Sequence, residues 1–236
     1  MLAGQSNKMI GEKSLQRLRE LIQIIAEANT EDFFELAKLA GLNPTEDFST
    51  ANLSGLDLRS AQLEGANLIN TNLAQACLVN ANLSDAKLIS ANLMAANLIC
   101  AQMDNANLIG ADLTGANLVS AKLWSANMTG AILSGATLNH ADLRRAILTD
   151  ARLDGASLRA TTLSHTDLRR ASLTQADLSG ASFYGANLSN ADLRWTDLSD
   201  ASLAGATLEK TRLGGNQGLS RDAVLDLKRR GAIFER

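Results

Sequence analysis

Side chains able to do covalent or metal chemistry are few in this 236-residue chain and poorly spaced for it. Cys77 and Cys100 are the two cysteines, His140 and His165 the two histidines. Neither pair has a further thiol, imidazole or carboxylate at a metal-ligand interval, so no metal is expected. The glycine motifs that cradle phosphates, the G-x-S-x-G nucleophile turn and the H-E-x-x-H zinc helix are all missing. Serine, histidine and aspartate recur as fillers of a repeat, without the pocket that a nucleophile and its base would share. Neither catalysis, nor a cofactor, nor a small-molecule substrate is therefore expected. Unpaired thiols fit a reducing compartment. The first dozen residues lack a signal-type apolar run, and no segment approaches membrane-spanning length. A cytoplasmic chain with no membrane partner is the expectation. The formal charge of −3 divides into −3 over residues 1–50, −2 over 51–213 and +2 over 214–236. So mild a balance argues against nucleic acid as a partner.

What must position any functional surface is a five-residue phrase repeated from Ala51 to Leu213. A large apolar residue stands at every position ending in 3 or 8, through 33 units without insertion or deletion. It is Leu throughout except Met103, Met128 and Phe183. Two places earlier stands Ala, replaced by Thr71, Thr161, Thr166, Thr196, Thr211 and Leu56. On an extended backbone these two residues point to one side and the residue between them to the other. An odd period cannot keep alternating, so the remaining two positions, rich in Gly, Ser, Asn and Asp, must turn the chain. A helix fails, because steps of about 500° would spread the leucines over every face. The pattern predicts a coil of short strands and corners, with Ala and Leu inside and Met103, Met128 and Phe183 buried.

The A-(D/N)-L-x-x register over about two-thirds of the chain resembles the pentapeptide-repeat family. The resemblance implies a mainly β fold, a right-handed quadrilateral β-helix with four units per coil and about eight coils. At about 4.8 Å per rung the rod would be roughly 40 Å long.

Both flanks read as helical, giving 1–47 as an N-terminal cap, 48–215 as the array and 216–236 as a C-terminal helix and tail. Leu15, Leu18, Ile22 and Ile25 make an apolar stripe over 14–28. Thr30 can N-cap a second helix that Gly41 and Pro44 end. Phe48 already stands in repeat register. An exposed coil end recruits other strands, so the helical pair is expected to cap the first coil. Beyond Leu213, Ser220 caps a short helix with Lys228, Arg229 and Arg230 in its last turn and Gly231 as its stop. Ala232, Ile233 and Phe234 should fold back over the top rung. Both flanks resemble those of cyanobacterial members of the family.

In a 20-residue register Cys77 stacks under Asn97, about 11 Å from Cys100, too far for a disulfide. Outward residues fall into columns. Ile69, Ile89 and Ile109 form one, Val79, Ile99 and Val119 the opposite one, and Met94 and Trp124 extend this apolar surface of the first four coils. From Thr129 onward the same positions carry Asn139, Arg144, Asp154, Arg159, Arg169 and Arg194. Contiguous apolar columns mark a covered surface, the covers being the N-terminal helices, a second copy or a partner. Arg144, Arg145, Arg169 and Arg170 interleave with Asp142, Asp150, Asp154 and Asp167, and Asp150 lies beneath Arg170, which predicts mutual salt bridges. Arg144 stands one rung above Trp124 and is expected to lay its guanidinium on the indole.

These features point to a non-enzymatic protein–protein interaction module or scaffold: a rigid rod showing side chains to an unidentified protein partner, a homodimer included, with a regulatory role open. The resemblance implies an alternative, a DNA mimic that modulates DNA gyrase. That calls for a strongly anionic rod, whereas this array is mildly acidic and uninterrupted. It also admits a purely structural rod or developmental regulator.

Overall fold

A computed structural model describes residues 48–235 continuously and, before them, Glu20, Lys38, Leu39, Gly41, Asn43 and Glu46. Glu20, Lys38 and Leu39 are helical; the rest of the helices expected over 14–28 and after Thr30 lies outside the described residues. From Asn52↔Asn72 to Asp197↔Gln217, every unit pairs in parallel with the unit 20 residues on. Four units thus complete a turn, and the chain forms a right-handed quadrilateral β-helix.

One hydrogen-bonding scheme builds each side. The amide of the inward Leu donates to the carbonyl of the middle residue one coil up, as Leu53 does to Asn72 at 2.8 Å. The middle residue's own amide returns to the Ala carbonyl below, Asn72 to Ala51 at 2.9 Å. Each corner closes with the next Ala amide donating three residues back, as Ala66 does to Leu63 at 3.0 Å. The second corner residue has positive φ at every corner, glycine or not, the arrangement of a type II turn. Asn or Asp in the middle position is more than an outward filler. Its Oδ1 accepts the amide two residues on, as in Asp112 to Thr114 at 2.9 Å and Asn117 to Val119 at 3.2 Å, holding the strand at the lip of the turn.

The interior is a stack of Ala and Leu with almost no exposed surface, and Met103, Met128 and Phe183 are fully buried within it. The five threonines at Ala positions are buried too. Four of them donate Oγ1 to a corner carbonyl one coil below: Thr71 to Phe48, Thr161 to Leu138, Thr166 to Leu143 and Thr211 to Leu188, at 2.6–2.9 Å. Thr196 instead donates to Leu193 and accepts from Asn216 Nδ2.

Strand β1 (Arg212–Leu213), helix α1 (Arg221–Arg229) and strand β2 (Ile233–Phe234) finish the upper end. Ser220 Oγ accepts the Ala223 amide as N-cap, Lys228 and Arg229 stand in the last turn, and Gly231 follows with φ of 95°. Leu227 is the buried residue of the helix. β2 then pairs in parallel with β1, Arg212 opposite Ile233, which is the fold-back expected of this tail.

Candidate interaction surface

Corner geometry decides what the rod shows. The first corner residue of each unit points outward, and coils stack these residues into columns one rung apart. Ile69, Ile89, Ile109, Val79, Ile99 and Val119 stand at such corners. Ile109 is 37% exposed and the other five are half-buried. Met94 and Trp124 are more open, at 43% and 39%. A hollow lies on the side through Lys122 and Asp142, an open depression of about 760 Å³ flanked by Asp104, Trp124, His140 and Arg144. Trp124 is anchored by its backbone, whose amide donates to Asp104 Oδ1 at 3.1 Å. Its indole lines the hollow.

The four-sided register does place Arg144 one coil above Trp124, since the Ser125 amide donates to the Arg144 carbonyl at 3.0 Å. The expected stacking on the indole, however, does not form. Arg144 turns within its own unit and forks onto Asp142, with Nε 2.8 Å from Oδ1 and Nη2 2.6 Å from Oδ2. A bidentate charged pair outweighs an exposed cation–π contact, which is worth about 0.5–1 kcal/mol. The same D-L-R triplet pairs identically at Asp57 and Arg59, Asp167 and Arg169, and Asp192 and Arg194. This signal was present in the sequence. Positions two apart on an extended strand share a side, so the nearest partner of each Arg lies in its own unit.

Charge elsewhere on the upper coils is likewise paired locally. Arg170 forks onto Asp150 one coil below, at 2.6 Å to each oxygen, as its register predicts. Arg152 and Arg159 approach Asp154 and Asp177 at 3.8 Å. Hydrogen bonds from Arg144 hold the Asp142 carboxyl below its ordinary value. Burial works to raise Asp167, yet donors from Arg169 leave it lowered as well. At the upper end, Asp192 and Glu235 bind Arg194 and Arg212 in a closed ring of four ion pairs at 2.6–3.1 Å.

Cys77 and Cys100 are free thiols. No cluster of His, Cys, Asp or Glu able to hold a metal occurs among the described residues. None of their helices is long and apolar enough to cross a membrane. His165 meets the Tyr184 ring edge-on at 5.5 Å. Sequence reasoning passed over Tyr184 and Trp195, which at 57% and 58% are the most exposed aromatics described, and over the exposed Ile147. Glycines could have pointed to where such rings lie. A side chain at 185 would collide with the His165 ring, and one at 215 with the Trp195 ring. Each glycine stands 20 residues after the ring it accommodates.

The family model for pentapeptide repeats matches in eight copies, over residues 47–85, 76–115, 111–150, 151–190 and 176–215. No curated protein matches the chain. Among solved structures, the pentapeptide repeat protein HetL, involved in heterocyst differentiation regulation in the cyanobacterium Nostoc sp. strain PCC 7120, is 31% identical. That match covers 81% of this chain and 95% of HetL, with a TM-score of 0.32. QnrB1, a plasmid-mediated fluoroquinolone resistance protein, is 19% identical over 77% of this chain and 97% of its own, with a TM-score of 0.47. A pentapeptide repeat protein of the Arabidopsis thaliana thylakoid lumen is 29% identical over 44% of this chain and 77% of its own, with a TM-score of 0.34.

Proposed function

We propose that this chain, which belongs to the pentapeptide-repeat family, is a non-enzymatic interaction module that presents one side of a rigid rod to a protein partner. The observation that carries the reading is Trp124. In a shell built mostly of small polar residues, its indole lies open beside a hollow, with the exposed Lys122 on the same side. Exposed Trp next to charged groups is the usual composition of an interface hot spot. The half-buried column of Val79, Ile99 and Val119 supplies an apolar rim at the other corner of that side, whereas Ile69, Ile89 and Ile109 stand at the opposite corner and Met94 at the corner diagonal to Trp124. Arg144, held flat by Asp142, offers its remaining donors at the edge.

Comparative affinity capture from the source cells tests this, with cross-linking and three baits: the chain as it is, Trp124→Ala and Trp195→Ala. The Trp124 variant should lose a partner that the other two retain, with an unchanged melting temperature. Identical captures from all three baits would remove Trp124 from the interface. A chain that remains monomeric and captures nothing would remove the function.

A further inference from the structure

One corner of the rod carries aromatic rings and cations, but no acid, over four successive rungs. Its stacked residues are Trp124, Arg144, Ser164 and Tyr184, with Arg145 and His165 next to the middle two. The Ser125, Arg145 and His165 amides donate to the Arg144, Ser164 and Tyr184 carbonyls at 3.0, 3.1 and 2.8 Å, so each position stands one rung above the last. The rings at the two ends are exposed, and so are Arg144, Arg145 and His165 between them. Tyr184 is braced from below, where the His165 ring meets it edge-on at 5.5 Å.

Three rungs separate Trp124 from Tyr184, about 14 Å at about 4.8 Å per rung. That interval selects the shape of an occupant. On an extended strand, residues i and i+4 share one side and lie about 13–14 Å apart. On a helix, residues that share a face lie about 10.5 or 16.5 Å apart, and those nearer 14 Å point elsewhere. The strand's residue i+2 falls about 7 Å from either end, between Arg144 and Ser164 with Arg145 alongside. Asp142 holds Arg144 through Nε and Nη2, a fork that does not use Nη1. Arg145 adds a second charge at the same height.

We infer that this corner takes an extended segment of a partner protein, with apolar side chains at i and i+4 and a carboxylate at i+2. The inference rests on the protein-partner reading given above and names the chemistry of what Trp124 meets. Single-stranded nucleic acid also stacks on aromatic rings, but it needs cations along its whole path. Below Trp124 the same corner continues through Asp104, Asp85 and Glu64 on successive rungs, which would face its phosphates with acids. A segment with a single carboxylate meets no such conflict.

Random peptides displayed on phage and selected on the full-length chain test this, with Trp124→Ala used to remove binders that ignore the corner. The selected sequences should carry two apolar residues four apart with Asp or Glu midway. As free peptides they should bind about tenfold more weakly to Arg145→Ala and to Tyr184→Ala, both with unchanged melting temperatures. Binders of another spacing, or without the midway acid, overturn the inference. So does indifference to Tyr184→Ala. Displacement of the peptides by a short oligothymidylate would assign the corner to a nucleic acid strand instead. A selection that yields nothing also overturns the extended segment; should the Trp124→Ala bait still lose its partner from cells, the interaction reading survives and the strand geometry alone falls.

Discussion

Phe183 stands where nearly every other unit has Leu, and it is sealed from water. Phe183→Ala is expected to cost about 3–5 kcal/mol in chemical denaturation, because rigid coils above and below cannot collapse into the space. The opposite sign is expected at a corner. Ala160 holds a left-handed φ of 51°, a conformation that costs a residue with a Cβ about 1–2 kcal/mol. Ala160→Gly should gain about 0.5–1 kcal/mol by the same measurement, since the strain relieved exceeds the added freedom of the unfolded chain. Inward residues were legible from spacing alone, Phe183 included. The work of the middle Asn and Asp was not. Alternation tells which way a side chain points, whereas the bond from Asp112 Oδ1 to the Thr114 amide depends on how the following corner bends. The inward threonines escaped for a similar reason. Thr161 and Thr166 looked like small substitutes for Ala, but each finds a carbonyl one coil down, 23 residues earlier.

At the scale of elements, punctuation was the readable part. Ser220 and Gly231 bracket α1 as N-cap and stop residues should. What fastens the tail was not readable, because Glu235 meets Arg212 and Arg194 only after β2 has returned to the rod. This ring sets a pH dependence. Hydrogen bonds from Arg212 lower the Glu235 carboxyl, and although burial works to raise Asp192, Arg194 and Arg212 leave it lowered too. Folded values below the ordinary ones mean that the stabilisation is complete above the ordinary carboxylate range, about 4. It disappears as pH falls through the folded values. In a Trp124→Phe background the emission of Trp195, whose ring lies against Gly215 beside this ring of charges, should hold constant down to about pH 4 and change below it. A flat profile to pH 2 would separate β2 from the ion pairs. The Trp124–Arg144 expectation failed at this same scale. It joined two coils, while the D-L-R triplet satisfies itself within one unit.

For the whole molecule, the paired surface bears on what the rod can imitate. Arg144, Arg159, Arg169, Arg170 and Arg194 each face an aspartate, so the upper coils have no continuous anionic track. DNA gyrase supercoiling is accordingly expected to proceed unchanged with the purified chain present, and dose-dependent inhibition would reverse that expectation. The number of sides became certain only with the pairing of residues 20 apart, because a five-residue period by itself fits a three-sided coil as well. That pairing has a mechanical corollary. Neighbouring coils are joined by short parallel bridges and a common file of leucines, so a chain pulled from its ends should yield one coil at a time. Each coil stores 20 residues of contour in a single rung, and its release should lengthen the tether by roughly 60–70 Å. An optical trap would then record a staircase of near-equal steps. The rod would behave as a constant-force spool, paying out length at a plateau tension where a globular domain snaps open once.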